Sequence, residues 1–296
     1  MTEKILSIVI PVLITETNQM DKYLQRCVKS IADNVDIDKY KDLIEVIVVD
    51  DYSVDASKFD EIDFGQLTYK IIHNSENLGI GGARNVGLDN STGKYIWYLD
   101  GDDFIDNTAI MRFINAYNGI ANNNIQLFYT MFSSITLDQN KNVVTTVNRM
   151  DMPNYAFCPV SSCCKIIRRD KCIRHPEKVY MEDVVYTFKQ LDEIDGFENI
   201  CILKDGSYWT YDLRRESNFT HTSQWLQYNK LTIEQLLRNN PIEQLKLKKT
   251  AVSDVFRLVA DLLDLIPNLK HPNVKEAAIQ RCVNITDKIK CCNYTH

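Results

Sequence analysis

Three of the four residues in Asp100-Gly101-Asp102-Asp103 carry a carboxylate. Carboxylates this close repel one another, so a cation or solvent has to compensate their charge. Oxygen ligands suit a hard divalent ion such as Mg2+ or Mn2+, which binds one or two carboxylates together with substrate phosphates. The motif therefore indicates either a metal site or an aspartate-rich turn in which Asp103 or Asp106 caps the next helix.

A second acidic pair, Asp50-Asp51, is followed by Tyr52 and Ser53. In α/β sheets an acidic residue at the end of the second strand can accept a hydrogen bond from a ribose hydroxyl or a base N–H. Two adjacent carboxylates after an apolar strand need a partner. We therefore expect Asp50 and Asp51 to contact a ligand, and Ser53 to cap the segment that follows.

Small residues are concentrated just before Arg84, because Gly79, Gly81 and Gly82 are three of the ten glycines in the chain. Together with Ala83 they permit the close approach of a backbone or a ligand. Arg84 would then lie in the first turns of a helix, where the helix dipole disfavours a cation. We expect its guanidinium to meet an anion, which is either a phosphate or one of the two acidic motifs.

The elements that position these motifs follow from the spacing of apolar residues. Short apolar runs predict four strands, and apolar positions at helical spacing predict two helices among them. Strands this apolar are predicted to be buried on both faces, and their alternation with helices predicts a parallel sheet. Ligands bind at the carboxyl ends of such strands, where both acidic motifs lie. The predicted strands are 5–12, 43–49, 69–73 and 94–99, and the predicted helices are 21–31 and 79–88.

The pattern changes after residue 105. A helix is predicted over 106–124, a hairpin of strands over 125–134 and 143–147, and a helix over 183–191. The basic run 165–171 is expected to be a solvated face, with a local phosphate-binding patch as the alternative. From residue 224 onward the pattern is helical, with an apolar stripe that indicates core packing.

Composition excludes several classes of protein. The 296 residues are 45% hydrophobic and 25% charged, as in soluble globular proteins, which excludes a disordered, collagen-like or coiled-coil chain. A net charge of -6 argues against a protein coated with phosphate-binding basic patches. Nine cysteines without a Cys-x-x-Cys pair predict free thiols in a reducing cytoplasm. No apolar run reaches the roughly 18 residues of a transmembrane segment.

Two common nucleotide motifs are missing. A nicotinamide-binding fold needs Gly-x-Gly-x-x-Gly directly after the first strand, and here Pro11-Val12 leads on without a glycine. The later glycine cluster has Arg84 at the last required position. A phosphate loop ending in Gly-Lys-Ser/Thr is also absent from the sequence.

Four segments, taken in order, resemble the family 2 glycosyltransferases of GT-A fold: 7–12, 46–53, 77–88 and 93–103. Segment 180–184 is similar to the Glu-Asp motif of that family, and 211–217 to its Tyr-x-x-Arg-x-x-Ser loop. The resemblance implies an α/β, Rossmann-like, mostly parallel sheet flanked by helices. It covers about residues 5 to 220 and predicts a GT-A domain at 1–220, with a nucleotide-sugar-binding half at 1–110 and an acceptor-side half at 111–220. The C-terminal helical extension at 221–296 lies outside the resemblance and is predicted from its helical pattern.

The resemblance also implies roles for individual residues. Asp183 matches the catalytic base. Glu182 is a candidate acceptor contact or a helix-start charge, and it is grouped with Arg214 and Ser217 as the acceptor and diphosphate loop. Asp100 and Asp102 match the metal-binding Asp-x-Asp, to which Asp103 would add. His221 is a further candidate metal ligand, with a solvated loop histidine as the alternative. The residues that would bind the nucleotide-sugar are Pro11, Val12, Asp50, Asp51, Gly81, Arg84, Asp100 and Gly101.

The activity implied is the inverting transfer of a sugar from a nucleotide diphosphate sugar, expected to be a UDP-sugar, with Mn2+ or Mg2+. The alternatives are a nucleotidyltransferase-like enzyme and a degenerate transferase that acts as a binding module. The acceptor stays open between a glycan, a lipid-linked saccharide, a protein and a modified nucleic-acid base. A homodimer through the C-terminal helices and a cytoplasmic location, with a peripheral membrane position as the alternative, are also expected.

The sequence departs from the family pattern at two places beside the expected base site. Tyr52 stands where the family has glycine, and Leu13 to Asn18 differ from its usual Tyr-Asn pair. Both changes leave the identity of the donor nucleotide open.

Overall fold

The computed structural model describes residues 3–16, 18, 20–120, 124–137, 142–148, 161–178, 182–212, 258 and 260–291, the last eight of these by their backbone alone. The chain divides into two compact units. The first comprises 1–150 with 159–214, and the second 151–158 with 215–296. The predicted domain boundary at residue 220 and the division at 110 stay predictions.

The first unit is built on one sheet, in which nine strands of the described residues pair in the order β3-β2-β1-β4-β8-β6-β9-β5, with β7 beside β6. Strands β1 to β4 run parallel to one another, as do β6 and β9. Strand β8 is antiparallel to both of its neighbours. The strands are β1 (Leu6–Val12), β2 (Ile44–Asp50), β3 (Tyr69–His73), β4 (Tyr95–Tyr98), β5 (Phe104–Ile105), β6 (Leu127–Leu137), β7 (Val143–Asn148), β8 (Lys165–Arg168) and β9 (Ile200–Asp212).

Helices alternate with the parallel strands, so the predicted α/β fold class is confirmed. Helix α1 buries Leu24, Cys27, Val28 and Ile31, whose three- and four-residue spacing predicted the helix. The helices of the first unit are α1 (Met20–Ala32), α2 (Ile37–Tyr40), α3 (Gly79–Asp89), α4 (Ala109–Gly119) and α5 (Glu182–Asp192).

The core lies around the central strands. Every residue of β1, β2 and β4 is buried, as their apolar sequences predicted. The same prediction is wrong for β3, where Tyr69, Lys70 and His73 are exposed. Strand β3 lies at the edge of the sheet and pairs with β2, so no further strand of the described residues covers its other side.

The basic run 165–171 does not form the solvated face that its sequence predicts. It was expected to be a solvated face, yet Lys165 is completely buried and begins β8, between β4 and β6. The cause is the apolar pair that follows Lys165, since Ile166 and Ile167 are buried in the same strand. Arg169, just after the strand, is exposed as expected.

The second unit is helical where it is described. Residues 260–265 are helical, a 3-10 turn covers Ile266–Asn268, and α6 spans Pro272–Cys291. Residues 224–257 of the predicted helical region lie outside the described part of the chain. Among the described helices, none is both long and apolar enough to cross a bilayer. Among the described residues, cysteines 27, 163, 164, 172, 201 and 282 carry thiols rather than disulfides, and the reducing compartment stays a prediction.

Candidate functional site

The carboxyl ends of β1, β2 and β4 meet at one edge of the sheet. Asp50, the last residue of β2, lies in register with Val12, the last residue of β1. The Asp51 amide donates to the Val12 carbonyl at 2.8 Å. A Cβ on Gly101 would lie 2.8 Å from Cγ2 of Val12, so the loop after β4 packs against Pro11-Val12 in a way that only glycine allows. Predicted donor residues from three strands are thereby brought together.

Asp50 and Asp51 are both buried, and each is held by the protein. Oδ1 of Asp50 accepts from the Ser53 amide at 2.8 Å, and Oδ2 lies 2.7 Å from Nδ1 of His73. Oδ1 of Asp51 accepts from the side chain of Asn74 at 3.0 Å and from the Leu78 amide at 2.8 Å. No hydrogen bond from the described residues reaches Oδ2 of Asp51, which leaves that oxygen available to a ligand.

Tyr52 stands between this pair and Ser53 in the left-handed region, with φ of 71°. Its side chain is exposed, at 60% of its full surface. A bulky residue seldom adopts this conformation, which explains why glycine is the family's choice at the position. The predicted cap by Ser53 takes another form, because its hydroxyl accepts a hydrogen bond from the Ile14 amide at 2.8 Å.

Arg84 joins the two acidic parts of the site. Its Nη2 donates to Oδ1 of Asp100 at 2.7 Å, and its Nη1 donates to Oε1 of Glu182. The residue is 2% exposed. Burial lowers the pKa of Arg84, but the charges of Asp100 and Glu182 outweigh this and raise it above the ordinary value. The anion that Arg84 was expected to meet is therefore an acidic motif of the protein.

Gly81 meets a backbone rather than open space. A Cβ on Gly81 would lie 2.0 Å from the Pro176 carbonyl oxygen. Of the two partners that the glycine cluster was expected to admit, a backbone or a ligand, the segment 175–176 is the one observed at Gly81.

Asp100 also belongs to a cluster of possible metal ligands with Asp103 and Cys163. Ligand atoms of Asp100, Asp103 and Cys163 all lie within 4.8 Å of one another. Burial, with the charge of Asp100 added, raises the pKa of Asp103 well above its ordinary value. Burial also raises the pKa of the Cys163 thiol. The carboxylates fit a hard divalent ion such as Mn2+ or Mg2+. The predicted ligand Asp102 is not one of these three residues.

The loop that carries these carboxylates is fixed by Arg26 of α1. Its Nη2 donates to the Asp102 carbonyl at 2.6 Å, and its Nη1 pairs with Oδ2 of Asp212 at 2.6 Å. The Asp212 amide donates in turn to Oδ1 of Asp103 at 3.2 Å. The end of β9 is thus tied to the loop after β4.

Asp183 lies in the first turn of α5, next to Glu182. It is half-buried, and no described residue forms a hydrogen bond or an ion pair with its carboxylate. Burial first, and the Glu182 charge second, raise the pKa of Asp183 from 3.8 to about 7, although Arg84 and Lys165 act to lower it. A carboxyl with these properties is suited to take and release a proton near neutral pH.

The other acceptor-side predictions divide into two groups. Glu182 is 6% exposed and faces Arg84 inside the protein. Arg214, Ser217 and His221 lie outside the described residues, so their roles stay predictions.

Two residues of this site were missed by the sequence analysis. Cys163 was one of nine thiols without a ligand-like spacing, and Lys165 was assigned to a solvated run. The Lys165 ammonium donates to the Ser161 carbonyl at 2.8 Å and lies 5.6 Å from the centre of the Tyr129 ring. The apolar pair at 166–167 was the one signal that could have placed Lys165 inside the protein.

Comparison with known proteins identifies relatives in sequence and structures of similar fold. The family model described as "Glycosyl transferase family 2" matches residues 7–175, which is more than half of the chain. Glycosyltransferase GlyA of Streptococcus pneumoniae is 34% identical over 102 residues, covering 34% of this chain and 13% of GlyA. The UDP-Glc:alpha-D-GlcNAc-diphosphoundecaprenol beta-1,3-glucosyltransferase WfgD of Escherichia coli is 33% identical over 92 residues, covering 31% of this chain and 35% of WfgD. The chain therefore spans well under two thirds of either relative.

Solved structures agree in fold. S. aureus TarS 1-349 in complex with UDP-GlcNAc superposes with a TM-score of 0.58 and 18% identity, covering 99% of this chain and 93% of TarS 1-349. The mannosyltransferase PcManGT from Pyrobaculum calidifontis, in complex with GDP-Man and Mn2+, gives 0.50 and 13%, covering 97% of this chain and 82% of PcManGT. The predicted GT-A fold is confirmed by this likeness. The strand-end carboxylates and the family match together make the chain a member of glycosyl transferase family 2, whose enzymes are transferases of class EC 2.4.

Proposed function

We propose that this protein transfers a sugar from a nucleotide diphosphate sugar, in the first instance a UDP-sugar, to an acceptor hydroxyl with inversion at the anomeric carbon. The observation that carries the proposal is the link through Arg84. One guanidinium binds Asp100 on the donor side and Glu182, the neighbour of Asp183, on the acceptor side. This link supports the proposal, because it joins the acidic motif to the residue beside the uncommitted carboxylate of Asp183.

The reaction needs one proton acceptor. The acceptor hydroxyl gives its proton to the Asp183 carboxylate while its oxygen bonds to the anomeric carbon. The bond from that carbon to the diphosphate breaks, and its electron pair leaves with the nucleoside diphosphate. A single displacement of this kind inverts the anomeric carbon and requires no nucleophile from the protein.

The donor residues follow from the predicted roles and the contacts. Oδ2 of Asp51 would accept a hydrogen bond from a base N–H or a ribose hydroxyl. Pro11, Val12 and Gly101 would line the donor site beside it. We propose that Asp100 and Asp103, with Asp102 as the resemblance implies, hold Mn2+ or Mg2+. Such an ion, when bound, supplies compensation for the charge that builds on the departing diphosphate.

The choice of UDP is supported by two similar proteins. TarS has been solved with UDP-GlcNAc, and the name of WfgD gives UDP-glucose as its donor. PcManGT has been solved with GDP-Man, so a GDP-sugar is the alternative donor. The proposal names the acceptor by its reacting hydroxyl alone.

The test is a thermal shift of the full chain with UDP-glucose, UDP-GlcNAc and GDP-mannose, each with and without Mn2+. A ligand at 100 times its Kd adds about 2.7 kcal/mol to the free energy of unfolding. We expect one donor to raise the melting temperature in the presence of Mn2+. The shift should be lost in Asp102→Ala and kept in Asp42→Ala, a control at an exposed aspartate before β2.

Release of UDP or GDP from the same donors separates an enzyme from a binding module. Metal-dependent release supports the transferase. Binding without release under any metal would favour the degenerate module, and no shift with any donor would contradict the proposed function.

A further inference from the structure

Arg84 is enclosed by the protein on the side where a nucleotide contact was expected. Its terminal nitrogens pair with Asp100, at 2.7 Å, and with Glu182. These carboxylates come from the loop after β4 and from the first residue of α5. The Arg84 side chain is 3% exposed, so little of its surface is left for a ligand. An arginine fork that binds two carboxylates at once fixes their separation as well as their charge.

The same face of α3 also contacts the segment 175–177. Asn85 exchanges hydrogen bonds with the backbone of His175, at 2.8 Å from the His175 amide and 3.0 Å to its carbonyl. Its Nδ2 also lies 3.1 Å from Oε1 of Glu177. Gly81 lies against the Pro176 carbonyl. Because residues three and four apart share a helix face, Gly81, Arg84 and Asn85 together contact the segment 175–177 and Glu182 at the start of α5.

The two carboxylates would separate without the cation. Asp100 and Glu182 carry like charges, and removing one partner of a buried ion pair leaves the other charge uncompensated. Asp183 follows Glu182 in the first turn of α5, so any displacement of Glu182 displaces it too. A misplacement of about 1 Å can reduce a reaction rate by about 100-fold.

We infer that Arg84 is a positioning residue, which clamps the Asp100 loop to the start of α5 and so sets the place of Asp183 relative to the donor. This inference rests on the proposed function. It differs from the nucleotide-pocket role that the resemblance implies for Arg84, because it predicts that turnover falls far more than the affinity for the nucleotide.

The experiment compares Arg84→Met and Arg84→Lys with Arg112→Met. Arg112 is the matched control, because it also pairs with a carboxylate, that of Asp106, and its side chain is 13% exposed. We would measure the Kd of UDP by calorimetry, and kcat and KM for the donor. In Arg84→Met we expect kcat to fall about 100-fold or more with the Kd of UDP within threefold of the parent chain. Arg84→Lys should recover part of kcat. A weaker Kd with unchanged kcat would overturn the inference and restore the nucleotide contact.

A double variant tests whether Arg84 acts through Glu182. If the two form one device, Arg84→Met with Glu182→Gln loses no more activity than Arg84→Met alone. Independent, multiplying losses would overturn the inference. A fold defect in Arg84→Met would appear as loss of the cooperative melt, and Arg84→Lys, which keeps the charge, then provides the comparison.

Hydrogen exchange keeps the inference testable without turnover. If the parent chain neither binds UDP nor releases it from a donor, the proposed function fails, but the clamp still predicts faster exchange over 182–192 in Arg84→Met than in Arg112→Met. Equal exchange in that segment would overturn the clamp by itself.

Discussion

Asp183 and Arg84 have opposite relations to the residues around them. Both terminal nitrogens of Arg84 donate to carboxylates, those of Asp100 and Glu182, whereas no described residue forms a hydrogen bond or an ion pair with the Asp183 carboxylate. A carboxylate that is partly withdrawn from water is ordinarily hydrogen-bonded, so an uncommitted one beside an acidic motif is a candidate for chemistry. At the scale of the residue, two predictions concern this carboxylate.

The first prediction is the effect of removing the base. Asp183→Asn keeps the shape of the side chain but cannot accept the proton, and general bases contribute about 10²- to 10⁴-fold to rates. We expect kcat to fall within that range while the Kd of the donor is unchanged. Glu193→Gln, an exposed position just after α5, is the control. Donor turnover by Asp183→Asn at the parent rate would exclude Asp183 as the base.

The second prediction is a pH dependence. The pKa of Asp183 is about 7 in the folded chain against 3.8 ordinarily, so kcat/KM should rise with pH through about 7 as the base ionises. A raised acid pKa stabilises the protonated folded state, and this stability is lost as pH rises from 3.8 to about 7, by about 1.4 kcal/mol for each unit of pKa difference. Asp183→Asn should therefore melt above the parent chain at pH 8 and close to it near pH 4. A melting difference that is constant with pH would contradict this pKa.

At the scale of the element, α3 packs against two parts of the protein. One is the sheet, and the other is the segment at Pro176. A Cβ on Gly87 would lie 2.2 Å from Cγ1 of Val9 in β1, and one on Gly81 would lie 2.0 Å from the Pro176 carbonyl. The glycines of α3 therefore serve close packing on two sides.

The third prediction follows from that packing. In Gly81→Ala the methyl group would overlap a backbone oxygen, and overpacking costs about 1–3 kcal/mol. We expect the free energy of unfolding in urea to fall by that amount, with loss of activity as α5 shifts. Gly119→Ala, at the end of α4 with nothing within 4 Å of its added Cβ, should leave the stability equal or higher. Equal stability of the Gly81→Ala and parent chains would show that the segment at Pro176 moves freely.

The elements of the first half could be predicted because each has a plain pattern. The apolar runs of β1 and β2 and the helical spacing in α1 gave bounds within one residue of those observed. Strand β9 was missed because its apolar residues are interrupted by Lys204, Asp205 and Gly206. Helix α4 was predicted too long, since it begins at Ala109, where Oδ1 of Asn34 accepts from the Ile110 amide.

The candidate site was predictable in its acidic motifs and not in its contacts. Asp50, Asp100 and Asp183 stood out because carboxylates followed strands or matched a motif. The partner of Arg84 at Glu182 is 98 residues away in sequence, and no spacing rule reaches that far. Cys163 joins Asp100 because β8 inserts beside β4, a pairing that depends on tertiary structure.

At the scale of the whole molecule, the predicted homodimer can be tested through α6. Ile279 and Val283 are exposed at 45% and 41%, one turn apart on that helix. Residues four apart lie on the same face of a helix, and an exposed apolar face suits a second copy of the chain. The homodimer stays a prediction.

The fourth prediction is a measured mass. We expect light scattering to give twice the 34.3 kDa of the chain, and Ile279→Glu to give the monomer, because a charge at an apolar contact loses its solvation. Gln280→Glu adds the same charge at the neighbouring exposed position and should leave the dimer intact. A monomeric parent chain would contradict the prediction.

The edge position of β3 bears on how the protein avoids pairing with strands of other molecules. An edge strand offers the hydrogen-bonding groups of its outer side to any other strand, and charged side chains are a common protection against such pairing. Lys70 stands in β3 with its ammonium 3.8 Å from Glu45 and its side chain 44% exposed. Its exposed charge would have to lose water before a second edge could dock. Lys70 also donates to the Asn90 carbonyl at 2.9 Å, and we expect this charged side chain to oppose strand-by-strand aggregation of the protein.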